Sequence, residues 1–589
     1  MQAKEGDADD RFFEVFPVSM TGRTSESRST DDRRVTVGSN DSGRPGYRCP
    51  MTETLTGSNR SAGISFAELL DQDSHPVSDV LRRESAMLPP GNTRVPAHVY
   101  YSQEWHDLEV EKLWSRVWQF ACLVDDIPNP GDYHVYDIAH LSFLIVRTAD
   151  GGIKALRNAC LHRGRKLRTC EGKGAKNLRC AFHGWNWNLD GSLKEIPCEW
   201  DFPDLDKAEY DLPDAKVGVW QGFVFINPDR DAEPLEDFIG TLGDHFTHLP
   251  FTHRYKAAHV SKIMPVNWKA LQEAFMEAYH TVATHPTLME NLGDANSRYD
   301  VYENYSRAIS PHAVESPHLN GMPHYERLAD GKQFARWRHP LNGHIYQRIE
   351  TGRVEVTDLD GNASFFDDDG NWLSGSQTQA DPHLCKWVGG TLLPGLEDVP
   401  LMTPNPPDDV TAGGTGAIRA WIAEQKREGI RTQFAGKINV DNVSDAEMID
   451  AMFYSVFPNW SPWGCYHYLM YRFRPNGSDP NSSIFEIMIW PPAPDPDNRP
   501  APAKVTHLGI DDDWMLAGEL GPIVKVFQQD SLNLPHVQTG LKAQEQQEVI
   551  FASYNESKIR HFYHHLFERM GVDAVQLSNA SRPNGSTPL

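Results

Sequence analysis

Two cysteine–histidine pairs stand close together in the first half of the chain. Cys160 and His162 are two residues apart, Cys180 and His183 are three apart, and 17 residues separate the pairs. Each pair offers one thiolate and one imidazole, so the set could hold an iron–sulfur cluster with sulfur ligands on one iron and nitrogen ligands on the other. A structural zinc ion also takes two Cys and two His, but usually with the cysteines together in one pair. Four unrelated side chains on strands and turns are the third interpretation.

The residues around these pairs resemble the motifs of the Rieske family: C-x-H followed by Arg-Gly, and C-x-x-H followed by Gly-Trp. The resemblance implies that all four side chains bind a 2Fe–2S cluster. Rieske proteins of respiratory complexes carry an additional disulfide between the two cluster loops. Arg165 and Ala181 occupy those positions here, which implies the soluble type of Rieske domain that serves oxygenases or small ferredoxins.

A second set of candidate ligands lies between Asn267 and His285, in the segment NWKALQEAFMEAYHTVATH. Glu277 and His280 are three residues apart and would share one face of a helix. His285 would lie about 140° further round an ideal helix. The two histidines can therefore bind one metal only if the helix bends or unwinds between them, which the β-branched residues in that interval favour. Two solvated histidines on a surface helix are the alternative.

This segment resembles the mononuclear iron site of Rieske non-heme iron oxygenases, in which Asn-Trp-Lys precedes an acid, a spacer, Tyr-His, four spacers and His. The resemblance implies that His280 and His285 bind iron. It also implies catalytic roles for Glu277 and Tyr279, with Glu277 bridging Tyr279-His280 and a cluster histidine of a neighbouring subunit. The family usually has Asp at position 277, and ring-dihydroxylating members often have Asn at Ala274. Both departures weaken an inference about the substrate class.

The third ligand of such a site is a carboxylate. The segment from Ile523 to Leu541, IVKVFQQDSLNLPHVQTGL, resembles the family's last helix, which carries an acid near its start and then Gln-x-Gly. The resemblance implies that Asp530 is this ligand. The alternative is an exposed helix acid, since the acids of 511–513 lie nearby.

The composition limits which binding partners and which cellular compartment are expected. The formal net charge is −25, so a polyanion such as nucleic acid is not expected to bind. No apolar run reaches 18 residues, and the N-terminus lacks the apolar segment of a signal peptide. Six of the eight cysteines are scattered outside the cluster pairs, a pattern typical of free thiols in a reducing compartment. We therefore expect a cytoplasmic protein that binds neither nucleic acid nor a membrane.

The sequence predicts four regions. Residues 1–90 are expected to be a disordered N-terminal extension, because they lack a hydrophobic period; the apolar patch from Ile64 to Leu70 could dock on the folded body, and Met51 is a plausible start. Residues 91–240 are assigned to an N-terminal helix and the Rieske domain. Residues 241–570 are assigned to the catalytic domain, with a long insertion near 310–440, and residues 571–589 to a flexible tail.

The expected fold class is α+β. Short strand-length runs between turns predict an all-β domain with both cluster loops at its tip, preceded by a helix over 103–117. The family resemblance implies a catalytic domain with a curved antiparallel sheet over helices, of the helix-grip, START-like type. Helices are predicted over 416–428 and 445–454, and strands over 455–492. We expect a surface loop over 395–416, and hairpins with Asp-Gly turns rather than a calcium loop over 358–371.

The resemblance as a whole implies the α subunit of a ring-hydroxylating dioxygenase, acting on an aromatic or other cyclic substrate with O₂ and with a mononuclear Fe(II). Electrons would come from NAD(P)H through a separate reductase or ferredoxin, and the assembly would be a homotrimer or α3β3. A Rieske monooxygenase and an O- or N-demethylase share this machinery and remain open. A Rieske electron carrier without oxygenase activity is the alternative from a different class.

Overall fold

The structure, a computed structural model, describes residues 63–572 except for 84, 86–87, 90, 286–287, 320–324, 329–333, 340 and 391–405. The predicted tail beyond 572, most of the predicted extension before 63 and half of the loop predicted over 395–416 lie outside the described residues. The other half of that loop, 406–416, contains a short helix over Asp408–Thr411 and the start of a long helix at Gly414, so the loop prediction is wrong there. Within the described part, no helix is both long enough and apolar enough to cross a bilayer.

The chain forms two short helices between Phe66 and Arg82, within the extension that the sequence predicts to be disordered. Its first elements are two short helices, a strand and a third helix that continues as a π-helical turn: α1 (Phe66–Leu70), α2 (Asp79–Arg82), β1 (Thr93–Pro96) and α3 (Gln103–Glu109). The apolar patch docks as expected, because Phe66, Leu69 and Leu70 are buried in the main hydrophobic core. A Ser65–Glu68 capping box begins α1, so the short segment has both a local start signal and an apolar face to bury.

Contacts attach the α3 region to the catalytic part of the chain. The buried Glu109 carboxylate accepts hydrogen bonds from Trp268 Nε1 at 2.9 Å and Lys269 Nζ at 2.5 Å, and β1 pairs with a strand near the C-terminus. The sequence predicts that this helix belongs with the Rieske domain. The structure instead packs its buried face against the segment that contains Trp268 and Lys269.

A small β domain follows, as predicted. Its strands are β2 (Gln119–Leu123), β3 (Tyr133–Ile138), β4 (Leu141–Arg147), β5 (Ile153–Arg157), β6 (Leu178–Arg179), β7 (Asn186–Trp187), β8 (Leu193–Glu195), β9 (Asp214–Trp220) and β10 (Phe223–Asn227). They form a six-stranded antiparallel sheet, ordered β2-β10-β9-β5-β4-β3, and a three-stranded sheet, ordered β6-β7-β8. One candidate cluster loop follows β5 and the other joins β6 to β7, so the topology brings the two cysteine–histidine pairs to one end of the domain.

The region assigned to the catalytic domain begins with α4 (Leu235–Ile239), β11 (Ala258–Met264), α5 (Trp268–Glu273), α6 (Thr281–Thr284), β12 (Arg298–Val301) and β13 (Tyr305–Ser310). After an insertion it adds the strands β20 (Ala451–Val456), β21 (Trp460–Pro462), β22 (Leu469–Asn476), β23 (Asp479–Ile489) and β24 (Thr506–Leu508). These strands form one eight-stranded sheet in the order β12-β13-β20-β21-β22-β23-β11-β24. The expected antiparallel pairing holds for seven strands. The edge strand β24 instead runs parallel to β11.

The insertion between β13 and β20 has its own sheet and its own core. Six strands pair in chain order as an antiparallel meander, and α7 packs against it. The elements are β14 (Tyr325–Arg327), β15 (Phe334–Arg338), β16 (Ile345–Glu350), β17 (Arg353–Thr357), β18 (Ala363–Phe366), β19 (Trp372–Gly375) and α7 (Pro382–Gly389). The two Asp-Gly turns join β17 to β18 and β18 to β19, so the hairpin prediction is confirmed.

The chain returns to the catalytic sheet after the insertion. The remaining elements are α8 (Asp408–Thr411), α9 (Gly414–Gln433), α10 (Asp445–Ile449), α11 (Val524–Ala543), β25 (Glu548–Phe551) and α12 (Ser557–Met570). The helix predicted over 445–454 ends at Ile449. The residues after it form β20, in which all six residues are buried. Pairing with β13 and this burial outweigh the local helical pattern.

Candidate metal centres

The two cluster loops share one backbone arrangement. The N–H of Cys160 donates to the carbonyl of Arg165, and the N–H of Gly164 donates to the carbonyl of Cys160. Cys180 makes the same pair of hydrogen bonds five and four residues further along, with Trp185 and Gly184. Both glycines have a positive φ, +72° and +82°, which a residue with a side chain adopts only with strain. The loops therefore match in backbone, although the histidine stands at the second position in one and at the third in the other.

The loops bring the four candidate cluster ligands together at the tip of the β domain. Cys160 and Cys180 are buried, with 3% and 2% exposure. The rings of His162 and His183 lie 4.5 Å apart between centroids, and His162 stacks on Trp185 at 5.2 Å. Nδ1 of His162 is buried and has no hydrogen-bond partner among the described residues. A buried, unpartnered imidazole nitrogen beside two thiols fits the mixed nitrogen and sulfur ligands of a Rieske cluster.

The environment of Cys180 favours a thiolate. Burial raises the pKa of this thiol, but the amides of Phe182 and His183 and the thiol of Cys160 outweigh burial and lower the pKa below its usual value. The Phe182 N–H lies 3.4 Å from the sulfur. Donors of this kind stabilise the charged form that binds a metal.

The candidate iron histidines stand at the two ends of a single short helix. The helix that begins at Trp268 stops at Glu273, and α6 runs only from Thr281 to Thr284. His280 precedes α6, while His285 follows it with ψ of +52°, outside the helical region. The unwinding that the sequence requires therefore occurs at His285. The spacing predicts that Glu277 and His280 share one helix face. The structure instead places Glu277 in the turn between α5 and α6.

Asp530 meets both histidines from the remote helix α11. Its Oδ1 lies 3.0 Å from Nε2 of His285 and 3.5 Å from Nε2 of His280. The three ligand atoms all lie within 4.8 Å of one another, as two histidines and one carboxylate must to share one iron. Within the described ranges, this is the one group of three or more Cys, His, Asp and Glu side chains placed to hold a single ion. Asp530 is 4% exposed, so it is not the exposed helix acid of the alternative interpretation.

Asp530 and the imidazoles of His280 and His285 attract one another through opposite charge. Burial opposes ionisation of Asp530, but the imidazoles of His285 and His280 outweigh burial and lower its pKa to about 2. Burial also opposes protonation of His280, and the carboxylates of Glu277 and Asp530 outweigh it and hold the pKa of this imidazole well above its usual value. The site concentrates negative charge around two imidazoles, which suits a divalent cation.

Each histidine has a separate partner on its other ring nitrogen. Nδ1 of His280 lies 2.6 Å from Oε1 of Glu277, and Nδ1 of His285 lies 2.7 Å from Oε1 of Gln529. Gln529 is not among the residues predicted from the sequence. Its position next to Asp530 on a helix is the only local signal, because its partner His285 lies 244 residues away.

Tyr279, predicted to act with Glu277, is more than half exposed. Its side chain is 54% accessible, as is that of Phe182 in the second cluster loop. The N–H of Tyr279 donates to Glu277 Oε2. Tyr279 and Phe182 are each the chain neighbour of a candidate ligand, so each candidate centre presents an exposed aromatic ring beside it.

Two family models match this chain. The Rieske [2Fe-2S] domain matches residues 117–206, and the catalytic domain of ring hydroxylating alpha subunits matches residues 404–572. The chain therefore contains a Rieske [2Fe-2S] domain, followed by a segment that matches the catalytic domain of ring hydroxylating alpha subunits. The Rieske match covers both cluster loops, and the catalytic match covers α11 with Asp530.

The relatives that this chain is similar to include a dioxygenase and a monooxygenase. The chain is 31% identical to the chlorobenzene dioxygenase subunit alpha of Cupriavidus sp. (strain PS12) over 211 residues, which are 34% of this chain and 46% of that protein. It is also 31% identical to the carnitine monooxygenase oxygenase subunit of Escherichia coli (strain K12) over 201 residues, 34% of this chain and 54% of that protein. The chain thus spans about half the length of the curated relatives it matches. A solved structure of naphthalene 1,2-dioxygenase from Rhodococcus sp. bound to indole aligns with a TM-score of 0.47 and 18% identity, covering 81% of this chain and 94% of that one.

Proposed function

We propose that this chain is the terminal oxygenase component of a Rieske oxygenase system and hydroxylates an organic substrate with O₂. The observation that carries the proposal is the meeting of His280, His285 and Asp530 around one point in a chain that also has the paired cluster loops. An electron carrier would need only the cluster loops. The mononuclear site gives the second metal centre that an oxygenase requires.

The proposal gives each metal centre its own residues. Cys160, His162, Cys180 and His183 hold a 2Fe–2S cluster, and His280, His285 and Asp530 hold a mononuclear Fe(II). When bound, the cluster supplies electrons and the iron activates O₂ at positions that the three ligands leave open. Asp530 keeps the imidazoles in place through its charge. Glu277 accepts the Nδ1 proton of His280 in a hydrogen bond and thereby presents Nε2 to the metal.

We further propose that the working unit is a homotrimer or an α3β3 assembly in which Glu277 links the iron site to a cluster histidine of the next subunit. The exposed Tyr279 and Phe182 rings support this assignment, because each lies next to a metal ligand and is available for contact. Electrons would come from NAD(P)H through a separate reductase or ferredoxin. We also propose a cytoplasmic location, because the seven cysteines in the described part of the chain are all free thiols.

Two substrate classes follow from the relatives. Aromatic or other cyclic compounds with ring dihydroxylation are the first proposal, on the similarity to chlorobenzene dioxygenase. Monooxygenation of a quaternary ammonium compound is the second proposal, because the sequence identity to carnitine monooxygenase, 31%, equals that to chlorobenzene dioxygenase. Loss of a methyl group after such hydroxylation would give an O- or N-demethylase.

Oxygen isotope incorporation distinguishes these functions. Protein carrying both metal centres would be incubated with a reductase, NADH, ¹⁸O₂ and a panel of aromatic, cyclic and quaternary ammonium compounds. Two labelled atoms in one product identify a dioxygenase, and one identifies a monooxygenase. Substrate-dependent O₂ uptake that His280→Ala abolishes would support the oxygenase. Reduction of the cluster with no product from any compound, in protein whose iron site is full, would favour the electron carrier.

A further inference from the structure

The metal-facing side of α11 contributes two successive buried residues to the candidate iron site. Asp530 is 4% exposed and Gln529 is 2% exposed, and successive helix residues point about 100° apart. Asp530 faces Nε2 of His285, at 3.0 Å, while Gln529 faces Nδ1 of the same ring, at 2.7 Å. Helix α11 therefore contacts both ring nitrogens of His285.

A second contact between α11 and the segment of His285 lies one helical turn later. Asn533, four residues after Gln529, donates from Nδ2 to Oγ1 of Thr284 at 3.2 Å, and residues four apart lie on the same helix face. Thr284 is the last residue of α6 and precedes His285. His280 differs from His285, because its supporting carboxylate, Glu277, comes from its own chain segment. The orientation of His285 depends on a residue that is remote in sequence.

Stability alone does not explain a glutamine at position 529. Its Nε2 is buried and has no hydrogen-bond partner among the described residues. An unpartnered buried donor destabilises a fold relative to an apolar group of similar shape. The side chain is therefore useful for its oxygen, which accepts the Nδ1 proton of His285. Nε2, the ring nitrogen on the side of Asp530, is then the one left without a proton and able to bind a cation.

We propose that Gln529 is a positioning residue for the mononuclear metal: its amide oxygen fixes the tautomer and ring orientation of His285 so that Nε2 is the metal ligand. This inference rests on the proposed function. Glu277 and Asp530 already supply two carboxylates to the site. A neutral acceptor at 529 orients the second imidazole without adding a third negative charge.

The test measures metal binding by protein that keeps its cluster but has had the mononuclear site emptied by chelation. Co²⁺ is the probe, titrated anaerobically, with the dissociation constant and the visible d–d spectrum as readouts. Gln529→Leu removes the acceptor, and Gln529→Glu keeps one. Gln528→Leu is the matched control, because this neighbouring glutamine accepts from Trp514 N at 3.2 Å and supports a different element.

We expect Gln529→Leu to weaken Co²⁺ binding by roughly 10–100-fold and to change the d–d spectrum, while Gln529→Glu restores affinity to within a few-fold of the wild type. Gln528→Leu should bind Co²⁺ as the wild type does. Equal affinity in Gln529→Leu and Gln528→Leu would overturn the proposal. So would equal weakening by Leu and Glu at 529, which would point to side-chain shape. Unchanged Co²⁺ binding in His280→Ala, His285→Ala and Asp530→Ala would instead remove the proposed metal site itself.

Discussion

Nδ1 of His280 lies 2.6 Å from Oε1 of Glu277, in a turn that the same carboxylate stabilises. Oε2 accepts the main-chain N–H of His280 at 3.0 Å and that of Tyr279. The Glu277 side chain is 8% exposed. Its oxygens therefore already serve one ring and two amides of their own chain. Any link to a neighbouring subunit must use the remaining lone pair of Oε1, since a carboxylate oxygen can accept two hydrogen bonds.

Glu277 variants should separate metal retention from turnover. With Fe(II) in excess, Glu277→Ala should still fill its mononuclear site, because Glu277 is not a ligand, but it should lose roughly 10–100-fold in turnover, as removal of a group behind a metal ligand commonly does. Glu277→Gln should fall between this variant and the wild type, because an amide oxygen still accepts from Nδ1 without the charge. Iron content and the rate of cluster reoxidation in single turnover are the measurements. The exposed acid Glu545 is the control for replacement by Ala. Loss of iron from Glu277→Ala equal to that from His280→Ala would contradict this separation.

The three proposed iron ligands should behave alike. His280→Ala, His285→Ala and Asp530→Ala should each lose mononuclear iron and oxygenation and leave the cluster spectrum intact, because the cluster loops lie in the separate β domain. His536→Ala is the matched control, since His536 is an exposed histidine on α11 itself. Metal analysis and O₂ uptake measure the outcome. Full iron and full activity in Asp530→Ala would exclude this carboxylate as the third ligand.

The candidate ligands were predictable from sequence because each belongs to a short local motif. The cysteine–histidine pairs, the Tyr-His segment and the acid of the last helix are each readable within about twenty residues. Gln529 was not predictable, because its role depends on a contact with His285 that only the folded chain creates. The same limit applies to β20. Its sequence continues the helical pattern of α10, and only pairing with β13 makes it a strand.

The proposed cluster should give the protein its colour and EPR signal, and it should depend on Cys160 but not on Cys170. Purified protein should be red-brown with two inorganic sulfides per chain, and its reduced form should show the low average g value of a cluster with nitrogen ligands on one iron. Cys160→Ser should disrupt this signal. Cys170→Ser should not, since Cys170 is an exposed free thiol between the two loops. His162→Cys should shift the signal towards that of an all-cysteine cluster or abolish it. A colourless protein with one zinc per chain would end the Rieske assignment.

Asp73 should make stability depend on pH. Burial raises the pKa of this carboxyl to about 7, with Asp450 and Asp445 adding to the rise and the Ala446 amide and Arg419 opposing it. The folded chain then holds a proton that the unfolded chain releases near pH 4, so this contribution to stability is lost as pH rises towards 7. Asp73→Asn keeps an oxygen for the Ala446 N–H without ionising. Its free energy of unfolding relative to the wild type should increase by about 2 kcal/mol between pH 5.5 and pH 8.

The control for this pH dependence is Asp71→Asn. Asp71 is an exposed acid in the same segment, with 70% of its side chain accessible, and it pairs with Arg82 on the surface. Denaturant unfolding of the three proteins at both pH values gives the comparison. A difference between Asp73→Asn and the wild type that stays constant with pH would mean that Asp73 is ionised throughout this range.

The N-terminal segment should divide into a part that stability does not need and a part that it does. Deletion of residues 1–50 should leave the melting temperature and cluster content unchanged, because the sequence there has little apolar surface to bury. Leu69→Ala should reduce the free energy of unfolding by about 2–5 kcal/mol, because Leu69 is fully buried in the main core. Leu516→Ala, at a leucine that is 65% exposed, is the matched control and should have little effect. A melting temperature that Leu69→Ala does not lower would mean that the packing of α1 on the main core adds no stability.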